Sequence, residues 1–468
     1  MRLTKIVASI SDLRCDIDFI KSLMNAGMNV ARINTAHITT ESAREIVNNI
    51  RRVSNKIAIL IDTKGPEIRT VGLENPMSVQ KGDLVHISGD AKGACPKCLL
   101  VSYDRFQNIL VPGNHILIDD GDIELTVVEK GDNLICRVEN DGVIKNNKSV
   151  NIPGVSIELP SITERDSQFI KFAVENDLDF IAHSFVRDKN DILQVQEILN
   201  RYNSQIKIIA KIENLDGINN IDEILDHAYG IMIARGDLGI EVPAEKLPSI
   251  QRNLIKKAVE KKKPVIVATQ MLHTMIEHPR PTRAEVNDIA NAVFSRADAL
   301  MLSGETAYGK YPQEAVSTMA RIAEETELSY DTRNDAIMPP VANEIPAYLA
   351  ESAIVASTEL PVKLIVATTT TGRTTRYLAA YRGTIPVIAK CHSMRVVREM
   401  ALSFGIVPSY IEMKKNKFKI EKLAISSLIK SDIVQPEDLI IYVGGRFGED
   451  AGASFIEIST VNKFNAEQ

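Results

Sequence analysis

Short apolar runs, rich in β-branched residues, recur along the chain, and each ends in polar or charged residues. Eight of them lie at 5–10, 29–34, 57–64, 179–186, 206–213, 230–237, 264–270 and 299–306. Runs that are apolar at nearly every position are typical of strands buried on both faces of a parallel sheet. The stretches between them have helical periodicity, as at Ile17, Ile20 and Leu23 before Gly27. The pattern predicts an α/β fold, a (β/α)8 TIM barrel.

A longer gap separates the third run from the fourth, and its pattern is different. Segments at 83–88, 114–120, 123–129 and 133–139 alternate apolar and polar residues and are divided by turn signals. We therefore predict an inserted all-β lid domain, a small β-barrel, over 67–156. The catalytic barrel is then predicted to comprise 1–66 and 157–335.

The last part of the chain alternates helix and strand signals again. Met338-Pro339-Pro340 indicates a boundary, and it precedes a helical pattern near 346–358 and another at 374–381. Apolar runs at 363–369, 386–391 and 438–444 predict strands. We predict a separate C-terminal α/β domain, with a regulatory role, over 336–468.

Composition narrows the choice of partners and compartment. The 468 residues carry a formal net charge of −6, so neither nucleic acid nor an anionic membrane is expected as a partner. The N-terminus lacks a signal-peptide pattern and no apolar run is long enough to span a bilayer, so we expect a cytoplasmic protein. Five cysteines, an odd number, argue against a disulfide framework. The CPKC segment at 95–98 is half of a zinc site, a redox pair or a surface turn, and we favour the turn.

Polar residues at the ends of the predicted strands are the candidates for chemistry, because active sites of such barrels lie at the carboxyl ends of the strands. The set includes cations, carboxylates, amides and hydroxyls: Arg32, Asn34, His37, Asp62, Thr63, Lys64, Lys211, Glu213, Arg235, Asp237, Thr269, Gln270, Ser303 and Glu305. A barrel with a purely structural role has no need of such a concentration. The set therefore predicts an active site.

The residue types indicate phosphoryl transfer. Glu213 and Asp237 end neighbouring strands, and two carboxylates suit Mg²⁺ or Mn²⁺ better than zinc. Lys211 precedes Glu213 by two residues, so both side chains point to the same side of the strand. A metal, Lys211 and Arg32 together would stabilise charge on a transferring phosphoryl group. Two glycines in ARGDLG (234–239) would let backbone N–H groups approach an anionic substrate.

Seven segments resemble the signature blocks of the pyruvate kinase family. They are RINTAH (32–37), DTKGPEIRT (62–70), KIEN (211–214), ARGDLGIE (234–241), ATQML (268–272), PTRAEVNDIANAV (281–293) and MLSGETAYGKYP (301–312). The resemblance covers essentially the whole chain. It implies a glycolytic phosphotransferase, dependent on Mg²⁺ and K⁺, that converts phosphoenolpyruvate and ADP to pyruvate and ATP. It also implies a homotetramer with a phosphorylated allosteric effector.

The same resemblance implies a role for each matching residue. Lys211 corresponds to the transition-state lysine, and Glu213 and Asp237 correspond to the Mg²⁺ ligands. Arg32 would contact the phosphoryl group, and Gly236, Asp237 and Thr269 would bind the substrate carboxylate. Protonation of the enolate would take place near Thr269 and Ser303. The remaining assignments are His37, Arg69 and Lys148 for the nucleotide phosphates, and Asn34, Asp62 and the Thr63 carbonyl for K⁺.

One position departs from the family pattern at the implied K⁺ site. Ala36 stands where the family usually has a serine whose hydroxyl helps to bind K⁺, so one ligand is missing. Glu67 nevertheless matches the form of the family that requires K⁺. We therefore expect K⁺ activation to persist at a raised K⁺ concentration.

The segment TTTTGRTTR (368–376) joins a predicted strand to a predicted helix. Its hydroxyls, glycine and helix-terminal N–H groups would form a phosphate pocket, and the resemblance implies an effector loop. The candidate residues are Thr368, Thr370, Gly372, Arg373 and Thr374. The alternative is a plain turn between strand and helix.

Two other functions remain open from the residues alone. The same barrel chemistry would suit a C–C lyase acting on phosphoenolpyruvate or pyruvate, although such an enzyme has no nucleotide for Lys148 to contact. A catalytically silent relative that binds a metabolite is disfavoured by the intact Lys211, Glu213 and Asp237.

Overall fold

The computed structural model describes residues 1–36, 38–90, 98–155, 157, 159–329, 344–414, 417–445 and 452–465. Its strands are β1 (Lys5–Ser9), β2 (Val30–Asn34), β3 (Ala58–Asp62), β4 (Thr70–Val71), β5 (Met77–Val79), β6 (Leu84–Ser88), β7 (Leu99–Val101), β8 (His115–Ile118), β9 (Ile123–Lys130), β10 (Leu134–Val138), β11 (Gly142–Ile144), β12 (Val150–Asn151), β13 (Phe180–His183), β14 (Lys207–Ile212), β15 (Gly230–Ala234), β16 (Val265–Ala268), β17 (Ala299–Leu302), β18 (Val362–Thr369), β19 (Val387–Cys391), β20 (Ile406–Tyr410), β21 (Leu439–Gly445) and β22 (Ala453–Thr460).

The helices surround these strands. They are α1 (Ile17–Ala26), α2 (Thr40–Val53), α3 (Phe106–Ile109), α4 (Glu164–Glu175), α5 (Lys189–Arg201), α6 (Leu215–Asn219), α7 (Ile221–His227), α8 (Arg235–Glu241), α9 (Leu247–Glu260), α10 (Arg283–Phe294), α11 (Gly304–Ala307), α12 (Pro312–Leu328), α13 (Ile345–Glu359), α14 (Arg373–Ala380), α15 (Met394–Met400), α16 (Lys417–Lys430) and α17 (Val461–Asn465). Among the described residues, no helix is both long and apolar enough to cross a membrane.

The barrel prediction is confirmed. Each of the eight apolar runs contains one parallel strand, and within the described part of the chain these strands close in the order β1-β17-β16-β15-β14-β13-β3-β2. Inward residues such as Val7, Leu60, Phe180 and Ile209 fill the barrel, while outward residues pack against the helices. The strands end within or just before the polar ends of the runs, so those ends lie together at one rim.

The inserted segment between β3 and α4 is built from short antiparallel and parallel strands whose ladder closes on itself. Its described strands form a seven-stranded sheet, β12-β8-β9-β10-β6-β7-β4, and a two-stranded sheet of β11 and β5. The two ends of the larger ladder meet, because Arg69 bridges Ser149 and the Thr70 N–H donates to the Lys148 carbonyl at 2.9 Å, in agreement with the predicted small β-barrel. The sheet has its own hydrophobic cluster, which includes Ile87, Phe106, Leu125 and Leu134.

The C-terminal part forms a five-stranded sheet in the order β20-β19-β18-β21-β22 among the described residues. Strands β18, β19 and β21 and helices α13 and α14 match the predicted elements, whereas β20 and β22 were not predicted. This part contacts the amino ends of the barrel strands through buried ion pairs, such as Arg382 to Asp298 at 2.5 Å. The domain bounds given above stay a prediction. The barrel, the inserted segment and the C-terminal part have separate hydrophobic clusters, which supports a division into three domains.

A capping box formed by Thr282 and Glu285 fixes the start of helix α10. Thr282 accepts a hydrogen bond from the Glu285 backbone N–H, and the Glu285 carboxylate accepts one from the Thr282 backbone N–H. This reciprocal capping box satisfies donors that a helix start leaves free. It fixes the register of α10, which carries Asp288 toward the rim of the barrel.

Candidate active site

A buried lysine lies at the centre of the carboxyl rim. Lys211, near the end of β14, has its Nζ 2.9 Å from Glu213 Oε1 and 3.1 Å from Asp62 Oδ1. Lys211 Nζ also donates a hydrogen bond to Ser184 Oγ at 2.7 Å. Burial lowers the pKa of Lys211, but Asp62 and Glu213 outweigh that effect and raise it above its ordinary value. The ammonium group therefore stays charged.

Arg32 supplies a second cation to the same rim. Its Nε lies 2.7 Å and its Nη2 2.6 Å from Asp62 Oδ2, and its Nη1 donates to Ser9 Oγ. Burial of Asp62 raises its pKa, but the charges of Lys211 and Arg32 reverse that effect and lower the pKa overall. Asp62 thus remains ionised and fixes both cations in place.

Glu213 and Asp237 form a second pair of groups, both acidic. Burial and the adjacent Glu213 charge raise the pKa of Asp237 to about 7. Glu213 also accepts a hydrogen bond from the Phe185 backbone N–H at 2.6 Å. Two crowded carboxylates of this kind fit a hard divalent cation, which would relieve their repulsion. The described residues contain no group of three or more His, Cys, Asp or Glu side chains able to bind a metal, so the other ligands would come from substrate and water.

The predicted substrate residues lie on the neighbouring strand ends. Gly236 and Asp237 belong to the seven-residue helix α8 rather than to an open glycine loop. The Gly236 N–H donates to Thr269 Oγ1 at 2.8 Å, and that hydroxyl donates to the Ala268 carbonyl at 2.7 Å. Ser303 Oγ is buried and has no hydrogen-bond partner in the described part of the chain. The structure therefore brings Gly236, Asp237 and Thr269 together.

The predicted nucleotide residues are only partly described. Arg69 pairs with Glu67 at 2.6 Å, and Lys148 pairs with Asp119 at 2.8 Å, both on the lid side of the cleft. His37 lies outside the described residues. A cavity of about 300 Å³ between lid and barrel includes Glu67, Glu213 and Asp237 in its lining, and it has room for part of a nucleotide.

The predicted K⁺ ligands lie on paired strand ends. Asn34 on β2 is directly opposite Asp62 on β3. The Asn34 side-chain oxygen accepts a hydrogen bond from the Ala36 N–H at 3.1 Å, and the Thr63 carbonyl accepts one from Ser184 Oγ at 2.6 Å. All the candidate ligand atoms for K⁺ are oxygens, which a hard monovalent cation requires. Ala36 adds no hydroxyl to them.

The predicted effector residues surround the start of α14. Gly372 has φ of +77° and precedes the helix, which explains the glycine, because other residues rarely adopt that conformation. Thr370 is exposed, whereas Thr374 is buried and accepts from the Ala453 N–H. Thr368 hydrogen bonds Tyr442, and Arg373 pairs with Glu344 at 2.5 Å.

Cys95 of the CPKC segment lies outside the described residues, as do the predicted boundary prolines Pro339 and Pro340. Cys98 is disulfide-bonded, whereas Cys15, Cys136 and Cys391 are free thiols. A single disulfide is not a disulfide framework, so it does not conflict with the expectation drawn from the odd number of cysteines.

Sequence reasoning did not single out two residues that hold the site together. Ser184 accepts from Lys211 and donates to the Thr63 carbonyl, and its place directly after β13 is the signal that would have found it. The other is Asp288, whose two carboxylate oxygens both accept hydrogen bonds from Arg235 Nη1 at 2.7 Å. Asp288 comes from a helix, so inspection of strand ends does not reveal it.

Comparisons with known proteins agree with this architecture. Family models for the pyruvate kinase barrel domain and the pyruvate kinase alpha/beta domain match residues 1–316 and 348–459. The chain belongs to the pyruvate kinase family. A pyruvate kinase from Borreliella burgdorferi is 46% identical over 98% of both chains. One from Bacillus licheniformis is 41% identical over 98% of this chain and 81% of that relative.

A solved structure of this family has the same fold. The pyruvate kinase from Cryptosporidium parvum superposes with a TM-score of 0.92 and 34% identity, covering 98% of this chain and 96% of that chain. The recognition, the fold class and the prediction of a phosphotransferase are thus confirmed.

Proposed function

We propose that this pyruvate kinase family member transfers the phosphoryl group of phosphoenolpyruvate to ADP at the carboxyl rim of the barrel, forming pyruvate and ATP. The observation that supports this most directly is the position of Lys211, held between Asp62 and Glu213 with Asp237 close by. A fixed cation beside a pair of metal-binding carboxylates is the arrangement that phosphoryl transfer requires.

Glu213 and Asp237 would hold the divalent cation, Mg²⁺ or Mn²⁺. The bound cation would neutralise negative charge on the transferring phosphoryl group and on the substrate. Lys211 and Arg32 would contact the phosphoryl oxygens, since both ammonium and guanidinium lie buried at the same rim. Their positions are set in advance by Asp62, so little reorganisation is needed during the reaction.

Substrate orientation would depend on α8 and the end of β16. The carboxylate of phosphoenolpyruvate would lie against Gly236 and Thr269, whose hydroxyl already faces the start of α8. The bond between phosphorus and the enol oxygen breaks while a bond to the terminal oxygen of ADP forms. The enolate that remains takes a proton at carbon, through water near Thr269 and the Ser303 hydroxyl, which has no hydrogen-bond partner among the described residues.

The nucleotide would occupy the cleft under the lid, with its phosphates near His37, Arg69 and Lys148. Arg69 and Lys148 are each paired with a carboxylate, so nucleotide phosphates would replace Glu67 and Asp119 as their partners. K⁺ would be held by Asn34, Asp62 and the Thr63 carbonyl, with water in place of the hydroxyl that Ala36 lacks. A homotetramer, a phosphorylated effector at Thr368–Thr374 and a cytoplasmic location stay predictions.

The test is a coupled assay of pyruvate formation with the purified full-length chain, phosphoenolpyruvate, ADP, MgCl₂ and KCl. We expect turnover that depends on ADP and on Mg²⁺, and loss of turnover in Lys211→Met. A chain that consumes phosphoenolpyruvate without ADP would instead support the lyase. A chain that binds phosphoenolpyruvate without any turnover would support the silent relative, and either outcome would overturn the proposal.

A further inference from the structure

The turn after β16 has a costly backbone conformation. Thr269 has φ of +67° and Gln270 has φ of +55°, two consecutive non-glycine residues in the left-handed region. Side chains other than glycine are disfavoured there, and a β-branched residue such as threonine most of all. Such a conformation persists only where the surroundings enforce it.

One side chain binds the carbonyl groups of this turn. Arg235 donates from Nη2 to the Thr269 carbonyl at 2.7 Å and from Nε to the Ala268 carbonyl at 3.4 Å. Arg235 is only 7% exposed, so these bonds are shielded from water. The orientation of the peptide group after Thr269 is therefore linked to the guanidinium.

The guanidinium is itself fixed from a different element. Asp288 on α10 accepts from Arg235 Nη1 with both carboxylate oxygens at 2.7 Å. This ion pair neutralises the guanidinium charge and occupies Nη1, which leaves Nε and Nη2 to bind the two carbonyl groups. Arg235 thus acts on the protein backbone rather than presenting a free cation to the substrate.

We propose that Arg235 is a positioning residue that maintains the left-handed turn and thereby sets the direction of the Thr269 hydroxyl. If φ at Thr269 relaxed, its carbonyl and its hydroxyl would move together, and the hydroxyl would leave the Gly236 N–H. The inference rests on the proposed contact of Thr269 with substrate. The next segment is fixed independently, because Glu305 accepts from the Leu272 N–H at 3.1 Å, so the effect would stay local.

The test uses Arg235→Lys in the full-length chain, because lysine keeps the charge but cannot bind two carbonyls as a planar fork. We expect kcat to fall about tenfold to a hundredfold with KM for ADP changed less than about twofold, since the misplacement affects the reacting centre. Asp288→Asn should lower kcat in the same direction by a smaller factor. A crystal structure of Arg235→Lys should show φ at 269 moved away from the left-handed region.

Rescue at position 270 separates this role from a general structural one. Gln270 is exposed, so its replacement does not disturb the core. In the Arg235→Lys background, Gln270→Gly should restore kcat by about fivefold or more, because glycine adopts positive φ without cost, whereas Gln270→Ala should not. Equal kcat with Gly and Ala at 270 would overturn the proposal, and so would an Arg235→Lys enzyme that keeps full kcat. Absence of phosphoryl transfer in the wild type would instead overturn the proposed function.

Discussion

Replacement of Lys211 by methionine tests the centre of the proposed mechanism. Methionine keeps most of the length of the side chain but removes the charge that lies 2.9 Å from Glu213 and 3.1 Å from Asp62. An ammonium about 4 Å from a developing charge, at an effective dielectric of about 20, contributes roughly 4 kcal/mol. Loss of that interaction in the transition state corresponds to about a thousandfold in kcat.

The effect should appear in kcat rather than in binding. Phosphoenolpyruvate and Mg²⁺ should still bind to Lys211→Met, because the carboxylates of Glu213 and Asp237 remain. Steady-state rates and isothermal titration of Mg²⁺ measure the two quantities separately. The matched control is Lys207→Met at the other end of β14, at the opposite rim of the barrel, where the lysine pairs with Glu399. Turnover of Lys211→Met within about tenfold of wild type would refute the reasoning.

Three further perturbations test other parts of the site. Glu213→Gln and Asp237→Asn should each raise the Mg²⁺ concentration for half-maximal activity and lower kcat, and unchanged Mg²⁺ curves would show that the metal lies elsewhere. Ala36→Ser should lower the K⁺ concentration for half-maximal rate at constant ionic strength without much change in maximal rate, and an unmoved midpoint would contradict the assigned K⁺ site. Burial lowers the pKa of His183 to about 4 in the folded protein. As the pH falls from 6.5 toward 4, His183 therefore binds a proton in the unfolded chain but not in the folded one, and the stability of the wild type should decrease. The loss is at most about 3 kcal/mol, and His183→Gln should show a smaller decrease in Tm over that range; equal decreases would contradict this origin.

The fold could be predicted to a large extent because its signal is local. Each barrel strand is buried on both faces, so nearly every position in the run is apolar and the run is visible in the sequence. Strands β20 and β22 are edge strands with half-exposed residues, and β20 contains Pro408, which argues against a strand. The pairings that close the lid sheet join distant positions, such as Arg69 and Ser149, and no local pattern identifies those partners.

The residues of the candidate site likewise include some that local sequence predicts and some that it does not. Lys211 and Glu213 share a face of one strand, so their spacing alone places them together, and the structure has them 2.9 Å apart. The partner of Arg235 is Asp288, which comes 53 positions later on a helix. No periodicity links two such positions, and only the packing of α10 against the barrel brings them into contact. Residues that position the site were therefore harder to predict than residues that line it.

The charges of the buried rim favour the divalent cation that we propose there. Two cations, Arg32 and Lys211, face three carboxylates, Asp62, Glu213 and Asp237, which leaves one negative charge in excess. Asp62 contacts both cations and Glu213 contacts Lys211, so the excess lies on the pair Glu213 and Asp237. Burial, together with the adjacent Glu213 charge, raises the pKa of Asp237. A phosphoryl group that carries about two negative charges would be repelled by that pair. A divalent cation held by Glu213 and Asp237 would reverse the sign of the rim, so the two carboxylates that repel phosphate on their own would favour it with the metal bound.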